Sequence, residues 1–84
     1  MTNDIITIKE IIKEYILQAT FGEKNKINDN SLIFKEGYFD SMGFVVLISF
    51  LEERFGIKTA DKDLIEENFE SINAITDFVV RKIN

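Results

Sequence analysis

The sequence of 84 residues contains no cysteine, histidine, proline or tryptophan. Without cysteine the chain has no disulfide and no thiolate chemistry. Without histidine as well, the usual zinc ligand sets cannot be assembled. The Ser-His-Asp and Cys-His nucleophile systems are excluded by the same two absences. The chain is therefore read as no enzyme in its own right. The lack of cysteine accords with a reducing, cytoplasmic setting. The opening residues, MTNDIITIKE, have neither a basic n-region nor an apolar h-region, so no signal peptide is expected. No uncharged run is long enough to span a bilayer, so no membrane insertion is expected.

Positive charge is also in short supply. Ten Lys and Arg stand against fifteen Asp and Glu, a net charge of −5. Residues 52–77 hold eight acids and three bases, which is all of that excess. Such a chain is poorly suited to nucleic acid, whose phosphates call for Lys and Arg. It suits a protein partner with a basic patch. Asp61, Asp63, Glu66 and Glu67 suggest a calcium loop, but the central glycine that such a loop requires is missing. No glycine lies between Ile57 and Asn84, so no metal site is expected.

Apolar residues make up 45% of the chain, with eight phenylalanines. That supplies one modest core, and residues 1–84 read as a single domain and a monomer. Ile5, Ile8, Ile12, Tyr15, Ile16 and Ala19 recur at helical spacing, predicting a first helix over about 4–20. Thr7 and Glu10 have capping-box spacing, with Asn3 or Asp4 as an earlier start, and Gly22 is a plausible stop. Residues 21–40 lack long periodicity. Their turn cluster, Asn28-Asp29-Asn30-Ser31, and their apolar Leu32, Ile33, Phe34, Tyr38 and Phe39 predict an ordered loop packed on the core. A second helix spans Ser41 to Phe55, with Gly56 placed for a left-handed cap. A short helical turn is expected around Leu64–Asn68. Ser71 then caps a last helix with Ile72, Ile75, Phe78, Val79 and Ile83 on one face. The fold class is all-α, with three main helices, one short helix and a long first loop.

The second helix carries two competing stripes. Phe44, Leu47, Ile48, Leu51 and Phe55 are apolar to the end. Met42, Val45, Val46, Ser49 and Glu53 turn polar as they go. Burying Glu53 unpaired costs several kcal/mol, of order ~3–5, so the first stripe is the core. Met42, Val45 and Val46 then lie at the surface beside Ser41, a placement that often marks a partner site. The competing outcome is that loop 21–40 folds over them. Phe50 falls between the stripes, and its place is not settled by the pattern.

Asp40-Ser41-Met42 followed by this apolar helix, in a helical chain of this length, resembles the acyl carrier and peptidyl carrier proteins. The resemblance covers nearly the whole chain. It includes INDNSLIFKEGYFDSMG, LEERFGI at the end of the second helix and ENFESINAITDFV before the last. It implies a four-helix carrier-protein bundle. It implies that Ser41 receives 4′-phosphopantetheine from coenzyme A, with Asp40 and Met42 as motif partners. The arm's thiol would carry an acyl or aminoacyl group as a thioester between enzymes of a biosynthetic pathway. The implied partners are a phosphopantetheinyl transferase, a loading ligase for acyl or aminoacyl groups, and downstream transferases or synthases. They would dock on Met42, Val45, Val46, Glu52 and Glu53. A helix N-terminus, with its free amides and partial positive charge, suits a phosphodiester. The alternative is an adaptor of the same fold that binds partners through the second helix and never carries cargo.

The chain departs from the family's pattern in three places. Fatty-acid-synthesis carriers commonly continue the motif with an acid, where Gly43 stands here. They often have a glutamate at the position of Val46. They also tend to have a smaller residue at the position of Phe44, facing the interior where a long acyl chain tucks. The DSMG continuation looks more like stand-alone carriers of dedicated pathways, D-alanyl, aminoacyl or polyketide carriers among them. The size of Phe44 leads us to expect that no long chain is hidden between the helices.

Overall fold

The computed structural model describes residues 4–20 and 27–83. Its elements are α1 (Ile5–Ala19), α2 (Ser41–Phe55), a 3₁₀ turn (Asp61–Asp63), α3 (Glu66–Phe69) and α4 (Ile72–Ile83). Among the described residues there is no strand. The all-α expectation of three main helices and a short one therefore holds.

Each of the three long helices begins where a side chain can take a free amide. Asp4 starts α1: its Oδ1 accepts from the Ile6 amide, and its Oδ2 accepts from the Thr7 hydroxyl at 3.1 Å. The earlier of the two predicted starts is thus the one used. Asp40 caps α2, accepting from the Gly43 amide at 2.9 Å. Ser71 caps α4 as expected, with its Oγ accepting from the Ala74 amide at 3.1 Å. α1 ends at Thr20, whose amide and hydroxyl both return to the Ile16 carbonyl. The expected stop at Gly22 lies outside the described residues. α2 ends at Gly56, whose φ of 67° is the left-handed conformation that glycine adopts without a steric penalty.

α1 packs along α4, which also receives α2 and α3. The core is Ile8, Ile12 and Ile16 of α1, Leu47 and Leu51 of α2, Phe69 of α3, and Ile72, Ile75, Phe78 and Val79 of α4. The connection from Ile27 to Asp40 is fastened over it. Ile27, Ile33 and Phe39 are buried. The Ile33 amide donates to the Glu70 carbonyl at 2.9 Å, and the Asn73 amide donates to the Asp29 carbonyl at 3.0 Å. Asp29 also meets Lys9 and Lys13 of α1, at 3.5 and 3.4 Å. The ordered loop expected from its aromatic content is observed across this part. Phe50 is placed by α1, because its ring stacks on Tyr15 with centroids 4.1 Å apart.

The short helix is displaced from the expected Leu64–Asn68. Asp63 explains the shift. Its carboxylate accepts from the Ala60 amide at 2.9 Å and from Lys82 of α4 at 2.6 Å. These bonds close the 3₁₀ turn. Ile65 is then extended, with φ −117° and ψ 152°, and the helix starts only at Glu66.

The same turn gives the fold a pH dependence. Hydrogen bonds from Lys82 and the Ala60 amide hold the Asp63 carboxyl below its ordinary range. The Thr59 amide and hydroxyl, at 3.0 and 2.7 Å, do the same for Glu52. A carboxylate with a depressed folded pKa stabilises the fold above its unfolded value, and that contribution is lost as pH falls through the folded one. The thermal midpoint is therefore expected to fall as pH drops below about 4, the ordinary carboxylate range. The gap between wild type and Lys82→Met should narrow over the same interval. A gap that stays constant to the acid limit would separate Asp63 from the acid lability.

Candidate functional site

Ser41 is the first residue of α2 and is exposed. It does not cap its own helix, because Asp40 does. Among the described residues no hydrogen bond engages the Ser41 hydroxyl. The Phe44 amide bonds the Asp40 carbonyl at 2.9 Å, and the Gly43 amide bonds the Asp40 carboxylate. Ser41 and Met42 are thus the first-turn residues whose amides remain for an anion.

Ser41 is among the residues that line an open groove of about 710 Å³ between the start of α2, residues 34–40 and the approach to α3. Its apolar lining is Phe34, Phe39, Phe44, Val45, Leu64 and Ile65. Three of these belong to an aromatic series that runs from the surface inward. Phe34 meets Phe39 edge-on at 5.9 Å and Phe44 at 5.6 Å. Phe44 meets Phe69 at 5.3 Å, and Phe69 meets Phe78 at 4.9 Å.

Gly43 has a physical reason in this arrangement. A Cβ at that position would stand 2.9 Å from Cδ2 of Phe39. A glycine there lets the buried Phe39 ring lie against the first turn of α2, below the groove. The Gly43–Phe39 pair and the groove's outer wall, Leu64 and Ile65, were not reached by the sequence reading. The usable signal was the adjacent pair Leu64-Ile65 among acids, two apolar residues with no helical face to join.

The two stripes of α2 part as expected. Leu47 and Leu51 are fully buried, while Phe44, Ile48 and Phe55 pack against the core from its margin. Met42, Val45 and Val46 are 71%, 59% and 52% exposed, so the described part of the loop, residues 27–40, does not fold over them. Glu53 is exposed further along that side. Glu52 is half-buried, and its carboxylate is engaged by Thr59.

Residues 7–79 match the family model described as the phosphopantetheine attachment site. The chain is 38% identical over 72 residues to the acyl carrier protein homolog of Mycoplasmopsis pulmonis, covering 84% of this chain and 94% of that protein. The chain belongs to the phosphopantetheine-binding carrier family. The cofactor of a carrier of this family is a covalently attached 4′-phosphopantetheine. The residues at the head of α2 fit such a group, since an exposed hydroxyl stands beside free amides and an apolar groove. Among the described residues no cluster of metal-ligating side chains is present, and no helix is long and apolar enough to cross a membrane. Carrier proteins of this kind work with transferases and synthases.

Proposed function

We propose that this protein is a carrier whose Ser41 holds 4′-phosphopantetheine and which moves an acyl or aminoacyl group between enzymes of one dedicated biosynthetic pathway in the cytoplasm. The observation that carries this reading is the exposed Ser41 at the head of α2, among the residues that line an apolar groove. When bound, the arm supplies the thiol that the chain lacks, and on it the cargo rides as a thioester.

The chain's own residues do the rest. Asp40 fixes the first turn, which holds the Ser41 Oγ outward for a transferase. The Ser41 and Met42 amides and the positive end of α2 steady the phosphodiester. Met42, Val45 and Val46 supply an apolar docking side for the transferase, the loading ligase and the enzymes downstream, with Glu52 and Glu53 as its acidic end. Few acids lie along this side, so partners that read apolar surface are favoured over those that read charge.

Intact mass spectrometry after incubation with coenzyme A, magnesium and a broad-specificity phosphopantetheinyl transferase tests the reading. One phosphopantetheine per chain is expected, on the peptide that contains Ser41. A well-folded protein that gains no mass, with this transferase and with those of its own organism, would sink the proposal.

A further inference from the structure

We propose that Phe39 and Gly43 are a positioning pair for the attachment reaction: the Phe39 ring, seated in the space that Gly43 leaves, sets where Ser41 stands when a phosphopantetheinyl transferase meets it. The inference rests on the carrier reading above and adds two residues to it. Gly43 lies two positions past Ser41, in the first turn of α2. Its amide donates to the Asp40 carboxylate at 2.9 Å, so one residue both receives the cap and faces the ring. A Cβ there would stand 2.9 Å from Cδ2 and 3.5 Å from Cγ of Phe39, and 3.5 Å from Oδ1 of Asp40. Alanine is the better helix former, so helix propensity alone argues against a glycine here. Space is the reason for it.

The ring is not free to give way. Phe39 is buried, and Phe34 meets its ring edge-on at 5.9 Å. The Phe39 amide donates to the Ile33 carbonyl at 3.1 Å, and the Ile33 amide is tied in turn to the Glu70 carbonyl at 2.9 Å. Phe39 is thus fastened to the end of α3, and through Gly43 it seats the head of α2. A side chain at position 43 would therefore move the first turn rather than the ring. Carbon atoms rest at about 3.5–4.0 Å, so the turn would shift by about half an ångström or more. Ser41 would go with it. In the attachment reaction the Ser41 Oγ bonds to the coenzyme A phosphorus that bears the pantetheine. The bond from that phosphorus to the bridging oxygen breaks, adenosine 3′,5′-bisphosphate leaves, and the hydroxyl proton passes to a base of the transferase. Such a displacement needs the nucleophile in place, and a misplacement of about 1 Å can cost about 100-fold in rate.

The test follows intact mass over time with coenzyme A, magnesium and the broad-specificity transferase, at several carrier concentrations. It gives kcat and KM for wild type, Gly43→Ala, Phe39→Val and the double variant, each below its melting range. A wild type that takes no arm contradicts the carrier reading, an outcome separate from those below. Gly43→Ala is expected to lower kcat by about tenfold, with KM for the carrier within about threefold of wild type. In the Phe39→Val background, which lacks the δ carbon, the same substitution should cost less than about twofold. A folded Gly43→Ala with kcat within about threefold of wild type overturns the proposal. So does a loss confined to KM, which would make the pair part of a docking surface, or an equal loss of kcat in both backgrounds. If Gly43→Ala does not fold, Phe39→Val carries the test alone. The first turn then has no seat, so kcat should fall by about threefold or more, and a smaller loss overturns the proposal.

Discussion

Ser41→Ala is expected to abolish the mass gain from coenzyme A and to leave the unfolding free energy within about 0.5 kcal/mol of wild type. The two halves of this expectation come from different residues. A serine at the head of a helix is ordinarily its cap, and its loss then costs about 1 kcal/mol. Here the cap is Asp40, whose Oδ1 takes the Gly43 amide at 2.9 Å. Ser41 is one residue inside the helix, exposed, where alanine is the better helix former. Asp40→Ala is the complementary case: it loses about 1 kcal/mol of cap and keeps the hydroxyl. Chemical denaturation alongside intact mass reads both quantities on each variant. A Ser41→Ala protein that still gained the arm would move the attachment to another hydroxyl. Ser31 and Ser71 are poor alternatives, since both are buried and each accepts from a backbone amide through its Oγ. Ser49, exposed on α2, would be the one to replace next.

Helix positions and the division of α2 were legible because each depends on local pattern. The stripe Phe44, Leu47, Ile48, Leu51, Phe55 repeats at helical spacing over the whole helix, and a glycine ends it. Asp40 and Ser71 are side chains of the capping type placed where a periodic pattern starts. The groove was not legible, because none of its walls is a local feature. Phe34, Phe44 and Ile65 are distant in sequence and share a groove only once the loop is fastened at the end of α3 by the Ile33 amide on the Glu70 carbonyl and to α4 by the Asn73 amide on the Asp29 carbonyl. The start of α3 was missed for the same reason. It depends on Lys82 bonding Asp63, nineteen positions upstream in the chain, a pairing that no window of sequence displays. The Phe50 ring, unplaced by either stripe, likewise needed Tyr15 of another helix to give it a position. Gly43 was recognised as a departure from the family's pattern, yet its cause, the Phe39 ring packed 2.9 Å from where a Cβ would be, is a matter of space alone.

Phe69→Ala is expected to cost about 3–5 kcal/mol, the largest loss from any single truncation in this chain. Phe69 has no exposed surface. Its ring lies between Phe44 at 5.3 Å and Phe78 at 4.9 Å, so it joins α2 to α4 through α3. α3 has four residues, too few to be helical without tertiary support. Phe69 is its buried anchor, and truncation leaves both a cavity and an unfastened segment. A domain of this size has about 4–13 kcal/mol of stability in total. The loss therefore takes a large part of it and lowers the thermal midpoint by about 12–40 °C. Circular dichroism at the helical minimum measures the shift, and Phe69→Leu, which keeps most of the volume, should lose much less. A midpoint drop below about 4 °C for Phe69→Ala would show that the aromatic series contributes little to the core. The position also links stability to the site. Leu64 and Ile65 hang from the segment that Phe69 anchors, so a chain that loses Phe69 loses the outer wall of the groove before it loses Ser41 from the head of α2. Below its own melting range, Phe69→Ala should therefore still accept the arm at Ser41.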